Sequence, residues 1–283
     1  DFVLDVEVPR VSMLKLRSPG APEIELERTG SEWRIRQPIE FPADSDVVEG
    51  LLRQIAETKA ERRIKTVDAQ PLATYGLDGD GKQARVSITM DGGERLPDLI
   101  VGQTTPVGYS AFARVEGRDE IVVAPLLLHT GVKKSVFDLR DKQMFDVDPT
   151  HVTAMEIGVG ERTVRIERRG DDWMMVTPLQ TPADTDQARA LLSSLNAVRA
   201  FEFYDAPVDG GDGTDSPETT FRATIGDGQQ VGFRLGRAVG GPSPGYYLRR
   251  DSDAQLAKVD QSIKVQFDKD RSTLRDKRLF KCT

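Results

Sequence analysis

The chain of 283 residues carries 39 Lys and Arg against 46 Asp and Glu, a net charge of −7, and the two signs are interspersed. This excludes a nucleic-acid groove, which needs a clustered basic face. Its 38% hydrophobic content leaves room for two ordinary domains, no apolar run approaches bilayer length, and the single cysteine, Cys282, excludes an internal disulfide or thiolate cluster.

In chain order, Met13–Arg17, Ile24–Glu27 and Trp33–Arg36 alternate with a period of two and are punctuated by Pro19, Gly20, Pro22 and Gly30. The pattern predicts an antiparallel meander with one wet face. Pro42-Ala43-Asp44 follows, where the proline stops the extended segment and Asp44 is placed to cap a helix. Val47, Val48, Leu51, Leu52 and Ile55 have helical spacing. A second strand group starts at Val86–Met90, turns through Asp91-Gly92-Gly93 and continues in Leu99–Val101 up to Gly102. After Gly108-Tyr109 come a strand at Ile121–Val123, a short helix near Leu126–Phe137 and the closing run Leu139-Arg140-Asp141-Lys142.

The whole series then recurs. Residues 27–60 and 167–200 align without a gap, and twelve of the 34 positions are identical; unrelated sequence would share roughly two. Trp173, Pro182 and Asp184 repeat Trp33, Pro42 and Asp44, and Gln187 stands where a capping box would place it. Ala188, Leu191, Leu192 and Leu195 repeat the helix; Phe221–Ile225 and Phe233–Leu235, ending at Gly236, repeat the second strand group. Gly245-Tyr246 repeats Gly108-Tyr109, and Leu274-Arg275-Asp276-Lys277 repeats the closing run. The fold class expected is α+β. It consists of two tandem homologous modules, each an antiparallel meander with a covering helix, a second strand group and a short terminal helix. The expected boundaries are 1–145 and 152–283, joined by a linker at 146–151.

Candidate sites fare poorly one by one. Gly241-Pro242-Ser243-Pro244-Gly245 spells a nucleophile elbow, but Pro244 has no N–H for an oxyanion hole, and the segment leads into a strand. Gly210–Asp215 spells one copy of a calcium-binding repeat that works only in tandem; a flexible acidic loop is the plainer reading, and a calcium gathered loosely by Asp205, Asp209, Asp212 and Asp215 is the alternative. His129 and His151 are too far apart for a compact metal site. No catalytic, cofactor or metal site is therefore assigned. Arg140-Asp141-Lys142 and Arg275-Asp276-Lys277 read as structural locks, both arginines buried against backbone carbonyls or carboxylates, rather than as contacts for an anionic partner. The apolar pairs that follow, Met144-Phe145 and Leu279-Phe280, are expected to plug the core of the unit they close. Trp33 and Trp173 read as core.

The order Trp33, Pro38, Pro42-Ala43-Asp44, Tyr75-Gly76-Leu77, Val101-Gly102, Gly108-Tyr109 and Leu139–Lys142 resembles the bacterial family called domain of unknown function 4340. Unit 2 departs at one point, since Asp215-Ser216-Pro217 stands near the place of Tyr75-Gly76-Leu77. The resemblance implies no enzymatic activity and no cofactor. It implies an extracytoplasmic region of a cell-envelope protein, anchored through an N-terminal membrane segment and working with protein partners. Some members resemble, or occur alongside, auxiliary components of ABC transporters of the gliding-motility type. The start at Asp1 and the closing run near the C-terminus lead us to expect a longer natural chain. A binding module for lipid, glycan or peptide, using a cleft between the modules, is the alternative.

Overall fold

The computed structural model describes residues 1–79 and 81–277, so Leu279-Phe280 and Cys282 lie outside the described residues. The chain divides into unit 1, Asp1–Asp141, and unit 2, from Lys142 onward. Unit 1 contains β1 (Val11–Arg17), β2 (Ile24–Thr29), β3 (Glu32–Gln37), β4 (Phe41–Pro42), α1 (Ser45–Glu57), β5 (Arg62–Lys65), β6 (Ala84–Met90), β7 (Leu99–Thr104), β8 (Ser110–Val115), β9 (Glu120–Pro125), α2 (Leu126–Gly131) and α3 (Val136–Leu139). Unit 2 contains β10 (Val152–Val159), β11 (Arg162–Arg169), β12 (Asp172–Thr177), β13 (Thr181–Ala183), α4 (Thr185–Asn196), β14 (Ala200–Tyr204), β15 (Thr219–Ile225), β16 (Gln230–Val239), β17 (Gly245–Arg250), β18 (Leu256–Asp260), α5 (Ser262–Phe267) and α6 (Arg271–Leu274).

The two strand groups of each unit join, because β1 pairs antiparallel with β6 and β10 with β15. The result is one nine-stranded sheet per unit, ordered β4-β3-β2-β1-β6-β7-β8-β9-β5 and β13-β12-β11-β10-β15-β16-β17-β18-β14. Strand for strand the two orders are the same, as a sequence repeat requires. Alternation decides the faces. Leu14, Leu16, Val86, Ile88, Leu99 and Val101 point to the helix-covered side and are buried with Trp33, Val48, Leu51, Leu52 and Ile55 of the same unit. Trp173 and the α4 residues Leu191, Leu192 and Leu195 do the same in unit 2.

Both covering helices are capped by the predicted aspartates, but Gln187 does not complete a capping box, because the Asp184 N–H donates to the Leu274 carbonyl. Asp44 accepts the Val47 N–H at 3.2 Å, and Asp184 accepts those of Asp186 and Gln187 at 2.9 and 3.1 Å. The single terminal helix expected near 126–137 is two helices. Ser135 breaks the run by capping α3: its hydroxyl accepts the Asp138 N–H at 3.2 Å, and its own N–H donates to the Asp138 carboxylate at 2.8 Å.

The structure moves the unit boundary. Met144, Phe145 and Val147, expected at the end of unit 1 and in a linker, are buried in the core of unit 2, where Phe145 packs 5.9 Å from the Phe233 ring. The Asn196 side chain holds the Val147 N–H at 2.9 Å and the Val147 carbonyl at 2.8 Å. The physical reason is edge pairing. Met144 donates to Val198, and Ala200 to Lys142, just as Val3 donates to Thr58 and Ala60 to Asp1 in unit 1. Residues 1–10 and 142–151 are thus the same opening segment, and the Arg-Asp-Lys run is divided between two units.

The two longest-range motifs of each unit form one clasp. Asp44 donates to the Leu139 carbonyl at 2.9 Å and Asp141 to the Pro42 carbonyl at 3.0 Å; Asp184–Leu274 and Asp276–Pro182 repeat both bonds at 2.9 and 3.0 Å. The expectation of two buried arginines holds for Arg140 and fails for Arg275. Arg140 is 4% exposed with its guanidinium 4.8 Å from the Phe41 ring centre. Arg275 is exposed, and Thr181 stands where unit 1 has Phe41, so no ring draws the cation inward.

Two outcomes follow for thermal or denaturant unfolding. Arg140→Ala should destabilise its unit by about 3 kcal/mol, with poor rescue by lysine, whereas Arg275→Ala should cost well under about 1 kcal/mol. Asp44→Ala and Asp184→Ala should each cost about 1 kcal/mol, the usual loss of a cap; unchanged midpoints would remove the caps from the account.

Candidate functional site

The residues singled out in the sequence gather in two places per unit, one beside the edge strand at the start of the sheet order and one over the strands of the second group. Pro42, Asp44, Arg140 and Asp141 form the clasp beside β4, and Pro182, Asp184, Arg275 and Asp276 form it beside β13. Lys142 contributes its carbonyl to the opening segment of unit 2, and Lys277 is exposed. Gly102 and Tyr75 belong to the second place, a strap laid over the helix-free face of the sheet.

The strap explains the glycines. A Cβ on Gly102 would collide with the carbonyl oxygen of Tyr75, and one on Gly236 with that of Asp212. The unit 2 counterpart of Tyr75-Gly76-Leu77 is therefore Asp212-Gly213-Thr214, three residues before the Asp215-Ser216-Pro217 expected there. Gly76 and Gly213 share the left-handed conformation, at φ 67° and 79°. What holds the strap differs. In unit 1 it is apolar: Leu77 is buried with Ile100 and Ile121, and the Tyr75 ring meets Phe112 edge-on at 4.7 Å. In unit 2 it is polar: Asp212 pairs with Arg249, Arg249 donates to the Thr214 hydroxyl at 2.9 Å, and Arg237 donates to the Asp209 carbonyl at 3.0 Å. Burial pushes the Asp212 carboxyl up, but Thr214 and the Arg249 guanidinium together hold it below the usual aspartate range. The acidic loop thus gives its central carboxylate to an arginine.

Tyr109 and Tyr246, matched in sequence, are not equivalent in the fold. Leu248 and Tyr246 of β17 take the places of Ala113 and Ala111 of β8, since β16 runs on to pair Val239 with Gly245. Tyr246 packs against the core, with Lys264 Nζ 5.6 Å from its ring, while Tyr109 is 80% exposed. Among the described residues no three His, Cys, Asp or Glu gather in a way that could hold a metal ion. His129 lies 2.7 Å from Lys133 Nζ, and burial together with that charge holds its pKa down. His151 is 3.5 Å from Asp148, and Ser243 lies in the turn between β16 and β17.

Sequence reasoning missed Arg28 and Arg168. Each lies over the tryptophan five residues on, 5.9 Å from Trp33 and 5.5 Å from Trp173. Each also donates to the opening segment of its own unit, Arg28 to Pro9 at 3.1 Å and Arg168 to Thr150 at 2.7 Å. The signal was present as Glu-Arg-x-Gly-x-x-Trp in both copies.

Because the two units share a scaffold, features present in only one are not needed to build it. Two such features lie on unit 1. The first is the lining of a cleft of about 710 Å³ on the helix-free face, beside the 18–23 hairpin and Gly79, Gly81 and Gln83. Unit 2 has a cleft of about 600 Å³ on the same part of its sheet, where Arg222 and Arg234 share Asp251, but Glu156, Gly158 and Glu218 stand there in place of Lys15, Arg17 and Gln83. Lys15, Arg17, Arg85 and Arg95 line the unit 1 cleft together with Glu23, Asp98 and Gln83. Asp98, 2% exposed, takes Arg85 at 2.7 Å and Arg95 at 3.3 Å. Burial raises its pKa, but Arg85, Ser87 and Arg95 outweigh burial and keep it low. The second is an apolar tip. Val107 and Tyr109, 79% and 80% exposed, sit on the β7–β8 hairpin, which is tied to α2 by the Leu126 N–H donating to the Tyr109 carbonyl at 3.1 Å. Leu127, next along α2, is 65% exposed and borders a groove of about 750 Å³ with Gln54, Glu57, Lys59 and Glu61. The unit 2 hairpin tip reads Gly-Gly-Pro-Ser-Pro at 240–244, and α5 opens with Ser262, so this apolar group has no counterpart.

The polar strap sets an acid limit on unit 2. Its depressed carboxylate lends stability that is full above the ordinary aspartate range, about 3.9, and is lost as pH falls through the lower folded value. Asp212→Asn should flatten the acid limb of a stability-against-pH curve; an unchanged limb would show that Asp212 carries none of it.

The family described as domain of unknown function (DUF4340) matches residues 33–219. No curated protein and no solved structure matches the chain.

Proposed function

We propose that this chain, which belongs to the domain of unknown function 4340 family, is a non-enzymatic scaffold or partner-binding region of a bacterial cell-envelope protein on the extracytoplasmic side. Service to an ABC transporter is the assignment that the family resemblance favours. The observation that carries partner binding is the tip of unit 1. Three large apolar side chains, Val107, Tyr109 and Leu127, stand in water on a scaffold whose second copy does without them. Exposed apolar groups beside a polar-rimmed groove are the usual make-up of a protein interface, and tyrosine is favoured at its centre. No helix among the described residues is long and apolar enough to cross a membrane.

The test is photo-crosslinking from position 109 in cells. One discrete protein adduct is expected. It should weaken with Leu127→Ser, while the melting temperature stays within a degree or so because both side chains are exposed. No adduct, or the same adduct from a probe at Asp91, would exclude the tip as the interface.

A further inference from the structure

We propose that the cleft on the helix-free face of unit 1 binds a small hydroxyl-bearing anion, with a sugar phosphate as the class its groups fit. This goes beyond the partner-binding reading and uses none of the residues of the tip.

Three observations lead there. First, among the described residues four cations line the cleft against two carboxylates. Lys15 is paired with Glu25 at 2.7 Å and Arg17 with Glu23 at 2.6 Å, while Arg85 and Arg95 share Asp98, and Arg85 reaches Glu116 at a long 3.5 Å. Glu25 and Glu116 stand outside the lining, so the described lining is donor-rich. Two guanidinium groups on one carboxylate leave N–H groups over for a second acceptor, and planar forks suit phosphate. Second, Gln83 is 9% exposed and its Oε1 has no hydrogen-bond partner among the described residues. A buried acceptor without a donor is costly, and a ligand hydroxyl would supply the donor once the amide turns toward the cleft. Third, the shared scaffold does not call for these groups. By register, Lys15 corresponds to Glu156, Arg17 to Gly158, Arg85 to Thr220 and Gln83 to Glu218. The volume of about 710 Å³ is ample for a sugar ring with one phosphate.

Isothermal titration of the whole chain with glucose 6-phosphate, inorganic phosphate and glucose tests the proposal. Saturable binding of glucose 6-phosphate is expected, about tenfold tighter than inorganic phosphate, with no heat from glucose. Lys15→Glu combined with Glu25→Arg copies the Glu156–Arg165 arrangement of unit 2. It keeps the strand pair and the net charge but removes a cation from the lining, so it should weaken both phosphates about tenfold. Gln83→Leu should weaken glucose 6-phosphate alone, without lowering the melting temperature, since it deletes an unpaired buried acceptor. No saturable heat with glucose 6-phosphate, equal affinity for the two phosphates, or binding unaltered in both variants would overturn the proposal.

Discussion

Two backbone hydrogen bonds close each unit, and the rest of the fold is arranged around them. Pro42 and Asp44 flank the point where the chain leaves the sheet for its main helix. Leu139 and Asp141, almost a hundred residues later, return to pair with them. The pairing does three things together. It covers the short edge strand β4, which would otherwise present unpaired carbonyls to water. It fixes the backbone of Asp44, whose side chain must point at the Val47 N–H to cap α1. It also brings Arg140 onto Phe41, where a buried cation gains an aromatic face. Unit 2 keeps the first two effects and drops the third, so the backbone clasp is the constant part and the arginine stack an addition.

A closure made by the first and last motifs of a unit also explains where the units divide. Asp141 is committed to Pro42 by its N–H, and Lys142 to Ala200 by its carbonyl. Adjacent residues therefore serve different units, and a run that reads as one motif is the end of one unit and the start of the next. Periodicity and repeat alignment exposed β1, β2, β3, β6, β7 and β9 but not β4, β5 or β8, together with both main helices, both caps and the likeness of the two halves, because those signals are local or are copied side by side. They could not expose the clasp, which joins segments far apart in sequence. Nor could they place Met144 and Phe145, whose apolar character says that they are buried but not in which core.

The strap shows the same limit in a different form. Tyr75-Gly76-Leu77 and Asp212-Gly213-Thr214 share only the glycine, yet they lie alike over Gly102 and Gly236. The backbone shape is what the scaffold demands; apolar contacts hold it in one unit and an aspartate–arginine pair in the other. The Tyr109–Tyr246 match misled for the opposite reason, since identical dipeptides fell on hairpins of different length. The candidate sites were hidden because nothing in a single copy marks Lys15, Gln83 or Leu127 as unusual. They stand out only when the second copy supplies the same scaffold without them, and this internal comparison is what separates structural residues from those free to serve a partner or a ligand.

Amide hydrogen exchange, read residue by residue, tests the clasp most directly. The N–H groups of Asp44 and Asp141, and of Asp184 and Asp276, lie in short segments that would exchange quickly as ordinary connections. If they close their units, each should exchange as slowly as the central strand amides of its own sheet, because opening them requires unfolding the unit. Fast exchange at these four positions, with the strands still protected, would contradict the account and reduce the clasp to a surface contact.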